Sequence, residues 1–305
     1  MENLPSRPPM WLQGLQWPPV RLAMIGFVML MMLMQSNTFM VQAKGQPLLQ
    51  IAIVIAWAAL GFAVYCGYVR YVERRPVTEL GLAGMTRELG IGLAIGAGLY
   101  TGCVLILMVM GIYRIDGFNP LAFMLPAVAM ALSSGIFEEL LFRGVLFRIV
   151  EEWLGSWVSL IASSVVFGMV HLANPDATLT GAIFISVEAG LLLAAAYMLT
   201  RRLWMSMGFH MAWNYTQSAI FSGIVSGGVS DPGLIRPTIE GPDALTGGSF
   251  GLEASLIAFL LCTTTGIVLL IMAARRGHIV LPSWQRQRAG IASADGQQVR
   301  ENRPN

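Results

Sequence analysis

The chain is short of charge. Of its 305 residues only 12% are Asp, Glu, Lys or Arg, whereas 55% are hydrophobic and the mean hydropathy is +0.65. Soluble domains carry about 25% charged residues, so the shortage excludes an ordinary soluble domain and points to a membrane. A net charge of +2 gives no sign of a nucleic-acid partner. Cysteine is scarce too: Cys66, Cys103 and Cys262 all fall in apolar runs without metal-ligand spacing. They read as small buried hydrophobes, and a disulfide framework is not indicated. No HExxH occurs, which excludes the standard zincin helix. No inverted repeat of the kind that marks many secondary transporters is visible. The first apolar segment is long and Met-rich (Met24, Met29, Met31, Met32, Met34) and lacks a small-residue cleavage site, so it reads as a span rather than a signal peptide.

What the chain has instead is a series of apolar runs near 20 residues, the length that crosses about 30 Å of hydrocarbon. They lie near 20–40, 48–69, 90–112, 120–148, 156–173, 179–200, 203–222 and 251–274. The expected fold is all-α: a polytopic membrane helical bundle of about eight transmembrane helices. Its orientation follows from basic residues in the short loops. A cytoplasmic N-terminus puts Arg7, Arg21, Arg70, Arg74, Arg75, Arg87, Arg143, Arg148, Arg201, Arg202, Arg275, Arg276, Arg286, Arg288, Arg300 and Arg303 on that side. The other side receives only Lys44, Arg114 and Arg236. Both termini are therefore expected in the cytoplasm. Residues 1–19 read as an irregular lead-in, 20–276 as one transmembrane domain, and 277–305 as a disordered cytoplasmic tail in which His278 is simply solvated. The Gly- and Pro-rich loop near 223–250 is long enough to be a lid, or else mobile.

Charge inside the bilayer costs roughly 2.5–3.5 kcal/mol per residue and is seldom left idle. The run Glu138-Glu139-Leu140-Leu141-Phe142-Arg143 places three charged residues at depth. Glu139 and Arg143 are i,i+4 neighbours, so an ion pair between them is natural. Glu138 lies about 100° away around the helix and has no local partner. A lone carboxylate in low dielectric is poised to take a proton, which is the task of a general base. His171 ends the run Phe167-Gly168-Met169-Val170-His171, and His210 shares a helix face with Asn214. Such a pair can donate hydrogen bonds to an oxyanion, or simply hold two helices together. Glu138, His171 and His210 could also hold a zinc ion with an open position; a metal-free site, with Glu138 and His171 activating water, uses the same residues. Glu188 reads as structural, and Glu253 as a charge anchoring the start of the last helix.

The motifs EELLFR at 138–143, FGMVH at 167–171 and HMAWN at 210–214 fit EExxxR, FxxxH and HxxxN/D in order. In this the chain resembles the CAAX-protease and bacteriocin-processing (CPBP, Abi) family of intramembrane proteases, over about 120–256. The stretch LTGGSFGLEASL at 245–256 is similar to bacterial members. The resemblance implies an intramembrane endopeptidase acting on a membrane-associated protein or peptide, in a bacterial inner membrane. Glu138 would be the catalytic glutamate, with His171 helping to activate water. His210 and Asn214 would stabilise the oxyanion, and Glu139 and Arg143 would support the site. Cleavage is expected on the cytoplasmic half of the membrane. For His171 to reach Glu138, the fifth helix is expected to start beyond the hydrocarbon, with Glu151, Glu152 and Trp153 in an overhang. The competing class is non-enzymatic: an immunity or interaction partner, or a proton-coupled carrier, using the same buried ionisable residues.

Overall fold

Inside hydrocarbon every backbone N–H and C=O needs an internal partner, and a helix supplies one within its own segment. The computed structural model describes residues 9–229 and 231–288, and its secondary structure is overwhelmingly helical. A short α1 (Met10–Leu15) precedes α2 (Pro18–Gln42), α3 (Pro47–Tyr71) and α4 (Met85–Val109). Strand β1 (Tyr113–Phe118) follows, then α5 (Leu121–Leu154), α6 (Ser156–Ala173) and α7 (Leu179–Thr200). Last come α8 (Trp204–Tyr215), β2 (Ile235–Ile239) and α9 (Leu256–Arg275).

Among the described residues seven helices, α2 to α7 and α9, are long and apolar enough to cross a membrane. Proline occupies the first turn of α2 and α3, where its missing N–H is no loss. Thr178 and Ser255 cap α7 and α9 by accepting from Gly181 N (3.0 Å) and Ala258 N (3.1 Å). The eighth expected span, 203–222, is α8 with a widened turn, Thr216–Ile220. It is buried around most of its girth, from Met205 to His210 and again from Ala212 to Asn214, and so forms the centre of the bundle.

Glycines let α4 and α8 approach closely. A Cβ at Gly92 would sit 2.2 Å from the Met205 carbonyl oxygen, and one at Gly96 2.4 Å from that of Phe209. Gly208 meets α4 in the same way, at the carbonyl of Leu89. Small residues are the usual means of close helix approach where lipid supplies no hydrophobic drive. Trp157, Ile161 and Val165, at i,i+4 spacing, leave one face of α6 exposed and apolar, as a lipid-facing side requires.

The two ends of the bundle differ. At one end a band of ion pairs joins five segments: Arg21 and Arg148 both meet Glu73 (2.7 and 2.9 Å), Arg148 meets Glu152 (2.8 Å), Arg75 meets Glu79 (2.6 Å), Arg201 meets Glu151 (2.5 Å) and Arg202 meets Glu88. At the other end β1 and β2 pair antiparallel, with a bulge between Ile115 and Gly117. This small sheet is an addition to the expected all-helical fold. It forms because both segments lie beyond the spans, where a ladder can replace helical hydrogen bonds.

The described edges of the lead-in and tail are more ordered than expected. Residues 10–15 are helical, and Gln16 donates to the Val72 carbonyl (2.8 Å). Residues 283–288 are also helical, and Arg286 donates to the Glu152 carbonyl (2.7 Å). His278 is not merely solvated, because its Nδ1 bonds the Met198 carbonyl (2.9 Å). Residues 1–8 and 289–305 lie outside the described residues.

Candidate active site

The depth of the three motifs is set by a hairpin. Helix α5 runs to Leu154 and α6 starts at Ser156, with Gly155 between them at φ +82°. Glu138 lies seventeen residues before that turn and His171 sixteen after it, so antiparallel helices bring them to one level. The expected overhang is the ionic band itself, in which Glu151 is buried and accepts from Ser156 Oγ (2.6 Å).

Helix α5 is widened where it carries the charged motif. Ser134–Glu138 and Leu140–Phe147 are π-type turns, and Ser186–Gly190 in α7 and Thr216–Ile220 after α8 are others. Such bulges recur at functional sites, because they re-aim side chains within a continuous helix. Here they border the motif residues.

The two adjacent glutamates have different surroundings. Glu139 is fully buried, and its Oε1 accepts from Arg143 Nη1 and His210 Nδ1, each at 2.9 Å. Since a carboxylate only accepts, His210 Nδ1 carries a proton. The other ring nitrogen, Nε2, faces Glu138 Oε2 at 3.9 Å. The Glu138 side chain is 19% exposed and lines a cavity of about 260 Å³. His171, His210, Asn214 and Ser134 line the same cavity. His171 Nδ1 donates to the Phe167 carbonyl (2.7 Å), which leaves Nε2 as its acceptor nitrogen. Asn214 Nδ2 donates to Ser134 Oγ (2.8 Å). Thus α5, α6 and α8 each contribute to one polar chamber, and all the sequence-nominated residues gather there or directly behind it.

Several residues have surroundings that the sequence did not disclose. The Phe167 ring sits 4.5 Å from the Arg143 guanidinium, 4.9 Å from the His171 ring and 6.0 Å from that of His210. The signal was its place four residues before His171, one helical turn away. Ser134 stands four before Glu138 in the same way. Glu253 does not anchor its helix, because Ser255 makes that cap. Glu253 instead accepts from Trp213 Nε1 (2.9 Å), Ser226 N (2.6 Å) and Ser226 Oγ (2.8 Å), tying α8 to the loop after it. Glu188 is buried with Oε2 unpartnered, beside a chamber of about 20 Å³ that also touches His171, His210 and Glu253. That is room for about one water.

The loop read as a lid or else as mobile forms part of the cavity wall through Val225, Ser226, Gly228, Val229 and Asp231. Asn174 Nδ2 donates to the Ser226 carbonyl (2.7 Å) and holds it there. Because these wall residues lie at the end opposite the ionic band, the cavity does not open on the arginine-rich side. The expectation of a cytoplasmic site is set against a mouth at the end away from the arginines.

No three His, Cys, Asp or Glu side chains among the described residues form a group able to hold a metal ion. Glu138, His171 and His210 share a cavity, with Nδ1 of each histidine hydrogen-bonded and Nε2 of His210 3.9 Å from Glu138 Oε2.

Residues 120–216 match the family described as type II CAAX prenyl endopeptidase Rce1-like. Over this segment the chain is similar to the CAAX proteases. The segment spans α5 to α8 and includes every residue of the polar chamber named in the three motifs. No curated protein and no solved structure matches the chain. The seven apolar helices, with the family match over residues 120–216, point to a multi-pass membrane protein.

Proposed function

We propose that the protein is an intramembrane endopeptidase that hydrolyses a peptide bond of a membrane-associated protein or peptide, with water activated by Glu138 and His171. The observation that carries this reading is the separation of the two glutamates. Glu139 is sealed and doubly bonded, while Glu138 lines the cavity that holds His171, His210 and Asn214.

A water beside Glu138 would give a proton to that carboxylate as its oxygen adds to the substrate carbonyl carbon. His171, with Nε2 free to accept, would orient the water. The oxyanion would take hydrogen bonds from His210 Nε2–H and from the second N–H of the Asn214 amide. Nε2 is a donor in the imidazolium form, with the Glu139 carboxylate bonded at Nδ1 as its counter-ion. Collapse of the tetrahedral species breaks the C–N bond, and the proton held by Glu138 passes to the leaving amine. Arg143 holds Glu139, and Glu139 holds His210. Zinc dependence is not part of this reading, because the three candidate ligands do not form a ligand group.

A carrier would be favoured by paired unwound segments at mid-membrane. Helices α5 and α7 are widened but uninterrupted, which supports the protease instead. The test is cleavage of a detergent-solubilised membrane-peptide library by wild type, Glu138→Gln and His210→Ala, with and without a chelator. The expected result is products from wild type alone, unaffected by the chelator. Equal cleavage by all three proteins would assign the activity to a contaminant and bring the immunity or carrier reading forward.

A further inference from the structure

The cavity at Glu138 has two arms of different chemistry. The polar arm, about 260 Å³, runs past Ser133 and Asn214 to Asp231, beside the β1–β2 end of the bundle. The second arm, about 470 Å³, is an apolar groove lined by Leu22, Gly26 and Leu30 of α2, Leu146 of α5 and Val166 of α6. The arms meet at Glu138 and His171, which line both. Along α2 the groove extends from Leu33 back to Leu22, about 16 Å at helical rise. It therefore descends from the site towards the ionic end while staying at the depth of the apolar spans.

Charge fixes which end is which. The ionic end carries Arg21, Arg75, Arg148, Arg201 and Arg202, with Arg87 exposed nearby. At the mouth end the basic side chains among the described residues are Lys44, Arg114 and Arg236, and the acids Asp116, Asp176, Asp231, Glu240 and Asp243 outnumber them. By the positive-inside rule the ionic end is cytoplasmic and the polar mouth faces the opposite side.

We infer that the substrate is a membrane-anchored peptide whose apolar segment lies in the α2–α5–α6 groove and whose polar flank leaves through the non-cytoplasmic mouth, so that cleavage falls at the non-cytoplasmic boundary of the substrate's span. The substrate rests on the protease reading, whereas the direction of the mouth stands apart from it. An apolar channel and a polar channel meeting at the candidate base match a chain that changes from lipid-soluble to water-soluble at the scissile bond. A substrate presented from the cytoplasm would have to carry its polar flank past the buried ion pairs of Arg148 and Glu73.

Two measurements test it. In intact cells a membrane-impermeant maleimide is expected to label Asp231→Cys, and to label Arg87→Cys only after permeabilisation. Wild type, whose three cysteines lie within spans, gives the background. Labelling in the reverse order overturns the proposal whatever the enzyme does. Two co-expressed reporters each carry one span of about 20 Leu and Ala residues and the same randomised polar flank, placed outside in one and inside in the other. The expected outcome is shortening of the outside-flank reporter alone, lost with Glu138→Gln. Glu138-dependent cleavage of only the inside-flank reporter overturns the proposal and leaves the protease standing. Cleavage of neither, with outward labelling retained, removes the protease reading and the substrate with it, and leaves only the outward mouth.

Discussion

Adjacent residues of one type are divided here by a rotation of about 100°. Among the described residues Glu138 has no partner within 3.5 Å, and it lines the cavity, so Glu138→Gln removes a proton acceptor without leaving a buried charge alone. Cleavage is expected to fall about 10²–10⁴-fold while the thermal midpoint in detergent stays near wild type. Glu139→Gln is expected to do both kinds of damage. It leaves the fully buried Arg143 without its counter-ion, a change that costs about 3–5 kcal/mol, and it replaces the charged acceptor of His210 Nδ1 with a neutral amide oxygen. A variant at 139 that melts like wild type would show the pair to be dispensable. Phe167→Ala removes the ring shared by Arg143, His171 and His210, with an expected loss of about 3–5 kcal/mol; Phe167→Leu should recover much of it in the same melt. The sequence displayed the Glu139–Arg143 pair because a helix places i and i+4 together. It hid the Glu139–His210 bond because those residues are 71 apart and meet only through packing.

At the level of helices, the spans were legible because hydrocarbon thickness dictates their length. The widened turns in α5 and α7 were not, since one residue more per turn leaves hydrophobic composition unchanged. Neither was the level of His171, which depends on where the α5–α6 turn falls, nor the role of Glu253, which is decided by Trp213 and Ser226 coming from elsewhere in the chain. The glycines of α4 offer a direct check on packing. Gly96→Ala places a Cβ 2.4 Å from the Phe209 carbonyl, so α8 must move and His210 with it. Gly98, one turn-fraction away, has nothing within 4 Å and faces outward. Gly98→Ala is expected to stay within about 0.5 kcal/mol of wild type or to gain slightly from helix propensity. Gly96→Ala should lower both the melting temperature and the cleavage rate. Equal behaviour of the two would mean that α4 and α8 do not approach as closely as these distances require.

For the whole molecule, one end is held by charge and the other by a strand pair and a tied loop, with the cavity opening towards the second. The ionic end gives stability a sign with pH. Glu79 lies outside the spans and is almost fully buried; burial works against its charge, but the Arg75 hydrogen bond and the charges of Arg148 and Arg75 outweigh it and hold its carboxyl down to about 2, from an ordinary 4.5. Tyr65 Oη donates to it as well (2.5 Å). Glu73 is also lowered: burial opposes its charge, and Arg148 and Arg21 prevail. A carboxylate with a depressed folded value stabilises the fold above its unfolded value and loses that contribution as pH falls through the folded one. The Glu79 shift corresponds to about 3 kcal/mol. Melting in detergent should therefore be flat from pH 7 to about 5 and fall from about pH 4.5 towards 2. Glu79→Gln should start lower and show a shallower fall, because Glu73 still titrates. The mouth end holds no comparable cluster of buried ion pairs among the described residues, and its Arg114–Glu240 pair is exposed, so Glu240→Gln should leave the acid limb unchanged. An acid limb that Glu79→Gln does not alter would place the pH-sensitive charge outside the band that joins α2, α3 and α5.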